Sequence, residues 1–203
     1  MILKYKNLTG NRLYLCMAKK EALRQLFKDK RKSLTKQQLS DASNAILAQL
    51  QQTGFVQGQH LLLYKASPKK KEIPVENWIT HFQQMELCFP KVIDNSGLME
   101  AVQWDINHPF VPNKWGILEP KNNSVVPPKS IDVVIVPLLC FDLSGQRVGY
   151  GKGYYDRFLK RCRAEVKKIG VCFFDPLKQI EDVADTDVPL DVIITPRSVH
   201  TID

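Results

Sequence analysis

One nearly continuous apolar stretch, residues 131–136, limits the fold of this chain more than any other feature of the sequence. It consists mainly of the β-branched residues Ile and Val, with Asp132 near its start and Pro137 directly after it. Strands that are buried on both faces read as continuous apolar runs, whereas half-exposed strands alternate between apolar and polar residues. The stretch therefore predicts an inner strand of a parallel sheet, which requires helices on both of its faces.

Segments on either side of this strand alternate between helical and extended patterns. Residues 18–32 repeat apolar side chains at helical spacing among Lys and Arg, and Thr35 and Gln38 have the spacing of a capping box for a second helix. Gly54 is expected to end that helix. Further strands are predicted at residues 60–64, 86–89, 98–102, 169–173 and 192–195, further helices after Pro74 and at 154–163, and an irregular excursion at 109–128. The alternation predicts a three-layer α/β/α domain with a mostly parallel central sheet.

Length and composition agree with one such domain. The 203 residues are 44% hydrophobic, which is enough for one core, and we expect a single domain over residues 18–203. Residues 1–17 show no amphipathic period, so we expect an extension that is poorly ordered or that lies upstream of the natural start. No apolar run has the length of a secretory signal or a membrane span. The five cysteines form no C-x-x-C pair, so we expect reduced thiols, neither a disulfide nor a zinc site, and a cytoplasmic protein.

The net charge indicates affinity for anions without choosing among them. A formal charge of +8 attracts nucleotides, polyglutamates and nucleic acid alike. The basic residues are scattered and are not interleaved with aromatic residues, which disfavours a nucleic-acid reader. A basic nucleic-acid-binding module is therefore a distant third hypothesis, which predicts binding that falls steeply with salt and no turnover.

A glycine-rich segment, residues 145–157, follows the predicted inner strand and precedes a predicted helix. Four glycines fall within nine residues: Gly145, Gly149, Gly151 and Gly153. Glycine lets the backbone take positive φ angles and approach a ligand closely, so that successive N–H groups can surround phosphate oxygens. Arg147 can grip a phosphate with two hydrogen bonds, and Lys152 adds a movable positive charge. The segment therefore predicts a phosphate-binding loop.

Neither of two familiar phosphate motifs is present in this loop. The glycines at 149, 151 and 153 do not match G-x-G-x-x-G, and Lys152 is followed by Gly153 where a P-loop needs Ser or Thr for magnesium. Asp156, on the first turn of the following helix, is the nearest carboxylate that could hold a hard cation. A tight turn with solvated charges is the alternative explanation. The density of Gly, Lys, Arg, Tyr and Asp in one loop disfavours it.

Residues 145–156, together with the preceding residues 136–142, closely resemble the signature of the 5-formyltetrahydrofolate cyclo-ligases, also called methenyltetrahydrofolate synthetases. The basic first helix, the Glu-Ile at Glu72 and the Trp-Gly-Ile-Leu-Glu-Pro segment at Trp115 follow in the expected order. The resemblance implies an enzyme that closes the 5-formyl group of reduced folate onto N10, giving 5,10-methenyltetrahydrofolate, while ATP becomes ADP and phosphate. A sugar-phosphate isomerase or transferase of similar α/β fold is the alternative, which would bind phosphate without ATP.

The resemblance also implies which residues bind each substrate. For ATP it implies Lys20, Arg24, Arg147, Gly149, Gly151, Lys152, Gly153, Tyr154 and Tyr155. For folate it implies Glu72, Trp115, Tyr150, Gly151, Lys152, Gly153 and Tyr154. Lys152, Arg147 and Tyr154 are expected to act in catalysis, because the reaction asks the protein mainly for positioning and charge stabilisation.

The resemblance further implies Mg²⁺ and two substrates as ligands. The metal is expected on Asp156 and Asp187, with Asp191 as the competing choice, whose other role is to flank the final strand. The Glu72 carboxylate suits the donor N–H groups of a pterin, although the link before it is longer than in the family. The expected partners are ATP and 5-formyltetrahydrofolate, with or without a polyglutamate tail. A monomer with no nucleic-acid or membrane partner is expected.

Overall fold

The structure, a computed structural model, describes residues 18–54, 57–93, 97–107, 109–114 and 116–202. The predicted extension, residues 1–17, and Trp115 lie outside these ranges. The helices are α1 (Lys20–Lys32), α2 (Lys36–Thr53) and α3 (Tyr154–Leu159), with 3₁₀ helices at Pro68–Lys70, Val75–His81 and Pro128–Ser130. The strands are β1 (His60–Leu62), β2 (Glu86–Ile93), β3 (Leu98–Gln103), β4 (Phe110–Pro112), β5 (Leu118–Pro120), β6 (Val125–Val126), β7 (Val133–Pro137), β8 (Cys140–Phe141), β9 (Arg147–Val148), β10 (Lys167–Val171), β11 (Val192–Ile194) and β12 (Val199–Thr201).

Eight of the strands form one sheet, in the order β12-β11-β10-β7-β1-β2-β3-β6. The five strands from β11 to β2 run parallel, whereas β12, β3 and β6 pair antiparallel at the two edges. Strand β7 lies in the middle of the parallel part, and its residues from Val133 to Val136 are buried. The mostly parallel sheet and its inner strand are therefore confirmed.

Helical segments cover the two faces of this sheet. On one face, α2 and the 3₁₀ helix Val75–His81 contribute Ile46, Leu50 and Trp78 to a buried cluster. On the other face, α3 contributes Phe158 and Leu159 to a second cluster. Burying one Leu, Ile or Phe side chain stabilises a fold by about 1.5–3 kcal/mol relative to leaving it exposed. The result is the three-layer α/β/α arrangement that the sequence predicts.

Local sequence signals set both ends of α2. Thr35 Oγ1 accepts a hydrogen bond from the Gln38 amide at 3.1 Å, and Gln38 Oε1 accepts one from the Thr35 amide at 2.8 Å. This reciprocal pair satisfies two amides that the first turn of a helix leaves without partners. At the other end Gly54 takes the left-handed conformation, with φ at 63°. The predicted capping box and the predicted helix end are both confirmed.

Helix α1 packs on the β8–β9 hairpin, beyond the carboxyl end of β7. Its buried residues Leu23 and Phe27 contact Leu139, Cys140 and Val148 of that hairpin region. The remaining positions of α1 are mostly Lys and Arg. This packing therefore brings a basic helix to the glycine-rich segment, which begins at the turn between β8 and β9.

Two predicted helices differ from the structure in type or length. Residues 75–81 form a 3₁₀ helix, in which Val75 and Trp78, three residues apart, lie on one side and are both buried. Helix α3 ends at Leu159 instead of continuing to residue 163. There the amides of Arg161 and Cys162 bond to carbonyls three residues earlier, which tightens the chain into turns.

The excursion predicted at residues 109–128 contains regular structure. Strands β4 and β5 form a two-stranded antiparallel sheet, and β6 joins the edge of the main sheet. Glu119, which is buried, accepts hydrogen bonds from the Val92 amide and from Asn113 Nδ2, both at 2.8 Å. The contact with Val92 joins residues that are 27 positions apart, so local pattern does not predict it. In the described ranges, none of the helices has the length and apolar character that a membrane span requires.

Candidate active site

Three segments that carry most of the predicted site residues meet beyond the end of β7. Strand β7 ends at Pro137, and the β8–β9 hairpin and the glycine-rich loop follow it directly. Residues 180–191 attach to α1, since Ala18 pairs with Ile180 and Asp182 Oδ1 accepts a hydrogen bond from the Lys20 amide at 2.6 Å. Open α/β sheets bind ligands outside the carboxyl ends of their parallel strands. The meeting point is therefore the candidate active site.

Asp142 fixes the turn of the β8–β9 hairpin. Its Oδ1 accepts hydrogen bonds from the Ser144 amide at 3.0 Å, the Ser144 hydroxyl at 2.6 Å and the Gln146 amide at 3.2 Å. Its Oδ2 accepts from the Ile180 amide at 2.9 Å, and the residue is buried. One carboxylate thus joins the hairpin to residues 180–191. Sequence reasoning assigned Asp142 no role, although an Asp two residues before a Ser-Gly turn is a usual turn signal.

Arg24 on α1 lies against the glycine-rich loop. Its Nε donates to the Gly149 carbonyl at 3.0 Å, and it forms an ion pair with Glu21. Gly151 has φ at 88°, and a Cβ atom there would come within 3.2 Å of the Arg24 guanidinium carbon. The loop therefore needs glycine at position 151 both for its conformation and for the approach of Arg24. The structure brings these predicted ATP residues together.

Arg147 and Asp156 form an ion pair at the centre of the site. Arg147 Nη2 lies 2.6 Å from Asp156 Oδ1, and the arginine side chain is only 8% exposed. Arg147 also donates to the Val188 carbonyl, while Asp156 Oδ1 accepts from the Val188 amide at 3.1 Å. The predicted phosphate ligand and the predicted metal ligand thus bond to each other and to the backbone of one residue, Val188, in the neighbouring segment.

Lys20 and Asp187 form a second cation–carboxylate pair beside the first. Lys20 Nζ donates to Asp187 Oδ2, which also accepts from the Ala184 amide at 2.7 Å. Burial acts to raise the pKa of Asp187, but the hydrogen bonds from Lys20 and Ala184 outweigh it and lower that pKa below its usual value. The positive charge of Arg147 lowers it further. The carboxylate is therefore held in its charged form.

Asp191, the competing metal candidate, has a structural partner elsewhere. Its Oδ1 lies 2.8 Å from Lys168 Nζ, and its Oδ2 accepts from the Lys168 amide at 2.7 Å. These contacts tie the start of β11 to the start of β10, at the amino ends of the two strands. Asp187 and not Asp191 is thus the carboxylate next to Lys20.

The donor set of the site suits a small hard cation. In the parts of the chain that the structure describes, no group of three His, Cys, Asp or Glu residues could hold a metal ion by itself. Mg²⁺ usually takes one or two carboxylates and completes its shell with waters and substrate phosphates. Asp156 and Asp187 supply two such carboxylates. They are linked by Val188, which follows Asp187 in sequence and donates its backbone N–H to Asp156.

Lys152 is the exposed cation of the loop. Its side chain extends into solvent, and among the described residues no hydrogen bond or ion pair holds it. Its carbonyl accepts from Arg157 Nη2 at 2.7 Å, and Arg157 also lies over the Tyr154 ring at 5.6 Å. The loop backbone is thus fixed while the ammonium group keeps its freedom to move.

Glu72 lies among three tyrosines on the other side of the loop. Its Oε2 accepts from the Ser67 amide at 2.7 Å, whereas nearby Glu76 is paired with Lys65 at 2.7 Å. Burial raises the pKa of both Tyr150 and Tyr155, and the Glu72 charge raises both further. The same two causes act on buried Tyr64. The Glu72 carboxylate therefore faces the glycine-rich loop, despite the longer link before it.

The Tyr155 hydroxyl has no partner within the described ranges. It is fully buried and makes no hydrogen bond there. The charges that act on it are Glu72, a predicted folate ligand, and Arg147, a predicted ATP ligand. A buried hydroxyl without a partner costs about 1–3 kcal/mol, which a bound ligand can recover. The hydroxyl is thus close enough to feel the charge of a predicted folate ligand and of a predicted ATP ligand.

Fold and site together define an α/β enzyme in which a glycine-rich loop joins basic residues and carboxylates at the end of a parallel strand. The chain belongs to the 5-formyltetrahydrofolate cyclo-ligase family, whose sequence model matches residues 16–196. It is thus a ligase of folate one-carbon metabolism. The resemblance noted for the glycine-rich signature is confirmed, and the sugar-phosphate alternative is not favoured.

Individual relatives agree with this assignment. A probable 5-formyltetrahydrofolate cyclo-ligase of Schizosaccharomyces pombe is 32% identical over 158 residues, which cover 70% of this chain and 76% of the relative. The 5,10-methenyltetrahydrofolate synthetase of Aquifex aeolicus is 27% identical with a TM-score of 0.73, over 90% of this chain and 92% of that structure. The Mycoplasma pneumoniae synthetase, 24% identical with a TM-score of 0.67 over 87% and 98%, supports the fold.

Proposed function

We propose that the chain converts 5-formyltetrahydrofolate and ATP into 5,10-methenyltetrahydrofolate, ADP and phosphate, with Mg²⁺. One observation carries the proposal beyond family membership: the two adjacent cation–carboxylate pairs, Lys20–Asp187 and Arg147–Asp156, beside the glycine-rich loop. The cations suit phosphate oxygens, and the carboxylates suit the metal that accompanies them. A protein that bound only a sugar phosphate would need the cations but not the carboxylates.

The proposed reaction has two steps that balance. The formyl oxygen attacks the γ-phosphorus of ATP, so that the bond to the ADP oxygen breaks and the formyl oxygen becomes part of a phosphate ester. N10 then attacks the formyl carbon and loses its proton, and phosphate leaves with the formyl oxygen. The first step turns a poor leaving group into a good one. Both steps ask the protein for positioning and for stabilisation of phosphoryl charge.

Each group of residues has a proposed part in these steps. Lys152 follows the transferred phosphoryl group, because its ammonium is free to move while its backbone is held. Arg147 holds phosphate oxygens from a buried and fixed position, and Tyr154 orients the reacting groups from the first turn of α3. Lys20 and Arg24 bind the nucleotide from α1, together with the loop residues Gly149, Gly151, Gly153 and Tyr155.

Asp156 and Asp187 would hold the magnesium ion in this proposal. When bound, Mg²⁺ neutralises phosphate charge and so favours attack on the γ-phosphorus. Folate would bind on the other side of the loop, where Glu72 accepts from the pterin N–H groups. Tyr150 and the backbone of the loop complete that side. We further propose a monomeric, cytoplasmic enzyme that acts on folate with or without a polyglutamate tail.

A single assay tests the proposed function. Purified full-length chain is incubated with 5-formyltetrahydrofolate, ATP and Mg²⁺, and the absorbance of methenyltetrahydrofolate is followed together with ADP release. We expect product in step with ADP, and none when ATP or the divalent cation is omitted. Product without ATP, or ADP release that folate does not stimulate, would refute the proposal.

A further inference from the structure

Arg31, in the last turn of α1, is a buried cation that the proposed function does not use. It is 2% exposed. Across the described ranges, no ion pair joins it to a carboxylate. Burying a charge without a direct counter-charge costs several kcal/mol, so its contacts must compensate for that cost. Those contacts connect three parts of the site.

The Arg31 guanidinium donates to two elements of the site. Nη2 donates to the Leu138 carbonyl at 2.5 Å, directly after β7, and Nη1 donates to the Tyr150 hydroxyl at 2.9 Å, in the glycine-rich loop. Its guanidinium carbon, Cζ, lies over the Phe173 ring, 5.5 Å from the ring centre. The Arg31 side chain therefore fixes the distance between α1, the end of β7 and Tyr150.

Tyr150 is held from two sides. Burial and then the nearby Glu72 charge raise the pKa of its hydroxyl, which accepts a hydrogen bond from Arg31 at 2.9 Å. Its ring is fixed from the other side, where Lys70 Nζ lies 4.2 Å from the ring centre. A phenol that accepts a hydrogen bond from a cation becomes a stronger donor, because hydrogen bonds in a chain polarise one another. Arg31 thus fixes the position of the Tyr150 hydroxyl and favours its action as a donor.

We propose that Arg31 is a positioning residue for the folate substrate, which acts by holding the Tyr150 hydroxyl in place. The inference rests on the proposed function, in which Tyr150 belongs to the folate side of the loop. Tyr150 then contributes to folate binding through its hydroxyl and not only through its ring. Because Arg31 reaches the Glu72 side of the loop, its loss affects folate binding and leaves ATP binding nearly unchanged.

Two variants and their combination test the contact between Arg31 and Tyr150. Arg31→Lys keeps the charge but cannot make both hydrogen bonds in the same geometry, and Tyr150→Phe keeps the ring without the hydroxyl. Calorimetric titration with 5-formyltetrahydrofolate, in the absence of ATP, gives the Kd of each full-length variant. We expect each single variant to weaken folate binding about tenfold, equivalent to about 1.4 kcal/mol. The Kd of the double variant should lie within about threefold of that of the weaker single variant, because both changes break the same hydrogen bond.

Steady-state kinetics and a control separate positioning from general damage. We expect the KM for folate to rise with the Kd, while the KM for ATP stays within about twofold of that of the wild type. The matched control is Arg163→Gln, since Arg163 pairs with Asp132 and donates to the Lys129 carbonyl at 3.0 Å, next to the start of β7. It should lower thermal stability and leave the folate Kd unchanged.

Three results would overturn the inference: an unchanged folate Kd in Tyr150→Phe, equal weakening of folate and ATP, or losses that multiply in the double variant. Should Arg31→Lys fail to fold, Tyr150→Phe decides alone. If the wild-type protein and the variants bind folate equally well, only the positioning role is refuted. Wild-type protein that binds no folate would refute the proposed function, and this inference with it.

Discussion

Replacing Tyr155 by Phe removes a buried hydroxyl that has no partner in the described part of the protein. Phe keeps the ring, which packs against the cluster that α3 shares with the sheet. Because an unsatisfied buried hydroxyl costs about 1–3 kcal/mol, its removal should raise the free energy of unfolding of the ligand-free protein by about 1 kcal/mol. In a chain of this size that corresponds to a rise in Tm of about 2–4 °C.

Thermal unfolding with and without ATP and Mg²⁺ provides the assay. Ligand should stabilise Tyr155→Phe less than it stabilises the wild type, because only the wild-type hydroxyl can gain a partner from the nucleotide. Tyr150→Phe is the matched control: its hydroxyl accepts from Arg31 at 2.9 Å, so the same atomic change should destabilise the protein by about 1–2 kcal/mol. If Tyr155→Phe lost 1 kcal/mol or more without ligand, the hydroxyl would have a protein partner and the reasoning would be wrong.

Three other predictions concern the charged residues of the site. Lys152→Met should lower turnover by about 30-fold to 1000-fold, equivalent to about 2–4 kcal/mol. Its control, Lys121→Met at another exposed lysine, should leave turnover unchanged. A loss below about threefold in Lys152→Met would contradict the role of Lys152. Asp156→Asn should raise the Mg²⁺ concentration needed for half-maximal rate, and it should lower the Tm because it weakens the pair with Arg147. Unchanged activity at limiting Mg²⁺ would reject Asp156 as a metal ligand. Asp187 has its folded-state pKa below the ordinary value of 3.8, so it stabilises the fold above that pH and loses this contribution as the pH falls through its folded pKa. The free energy of unfolding, measured by denaturation from pH 7 to pH 2, should therefore differ less between wild type and Asp187→Asn as the pH falls. A difference that stays constant over this range would contradict the prediction.

Local signals predicted the parts of the fold that depend on neighbouring residues. The apolar run of β7 predicted an inner parallel strand, and Thr35 with Gln38 predicted the start of α2, because strand burial and capping are decided within a few residues. The 3₁₀ helix Val75–His81 was predicted only as a helix after Pro74. Its tighter winding depends on how Val75 and Trp78 pack in the core, which the local pattern does not contain.

The candidate site shows the same division. The glycine-rich loop was identified from residue types alone, since Gly, Arg, Lys and Asp at that density suit phosphate chemistry. The pairing of Lys20 with Asp187 could not be predicted, because it depends on how residues 180–191 return to α1. Asp191 illustrates the point: the sequence leaves it equivalent to Asp187, whereas in the structure Asp187 pairs with Lys20 and Asp191 with Lys168.

The attachment of α1 to residues 180–191 has a consequence for the order in which the protein can fold. The Lys20 amide bonds to Asp182, 162 residues along the chain, and the Lys20 ammonium bonds to Asp187, 167 residues along. Contacts between such distant residues close very large loops. Large loops form late, because the chain loses conformational entropy before the contacts can stabilise it. During synthesis α1 can pack on residues 138–150 first, but it can make these two contacts only after residues 182–187 have left the ribosome. The pair of Lys20 with Asp187, part of the proposed nucleotide and metal site, is therefore among the last features of the site to form.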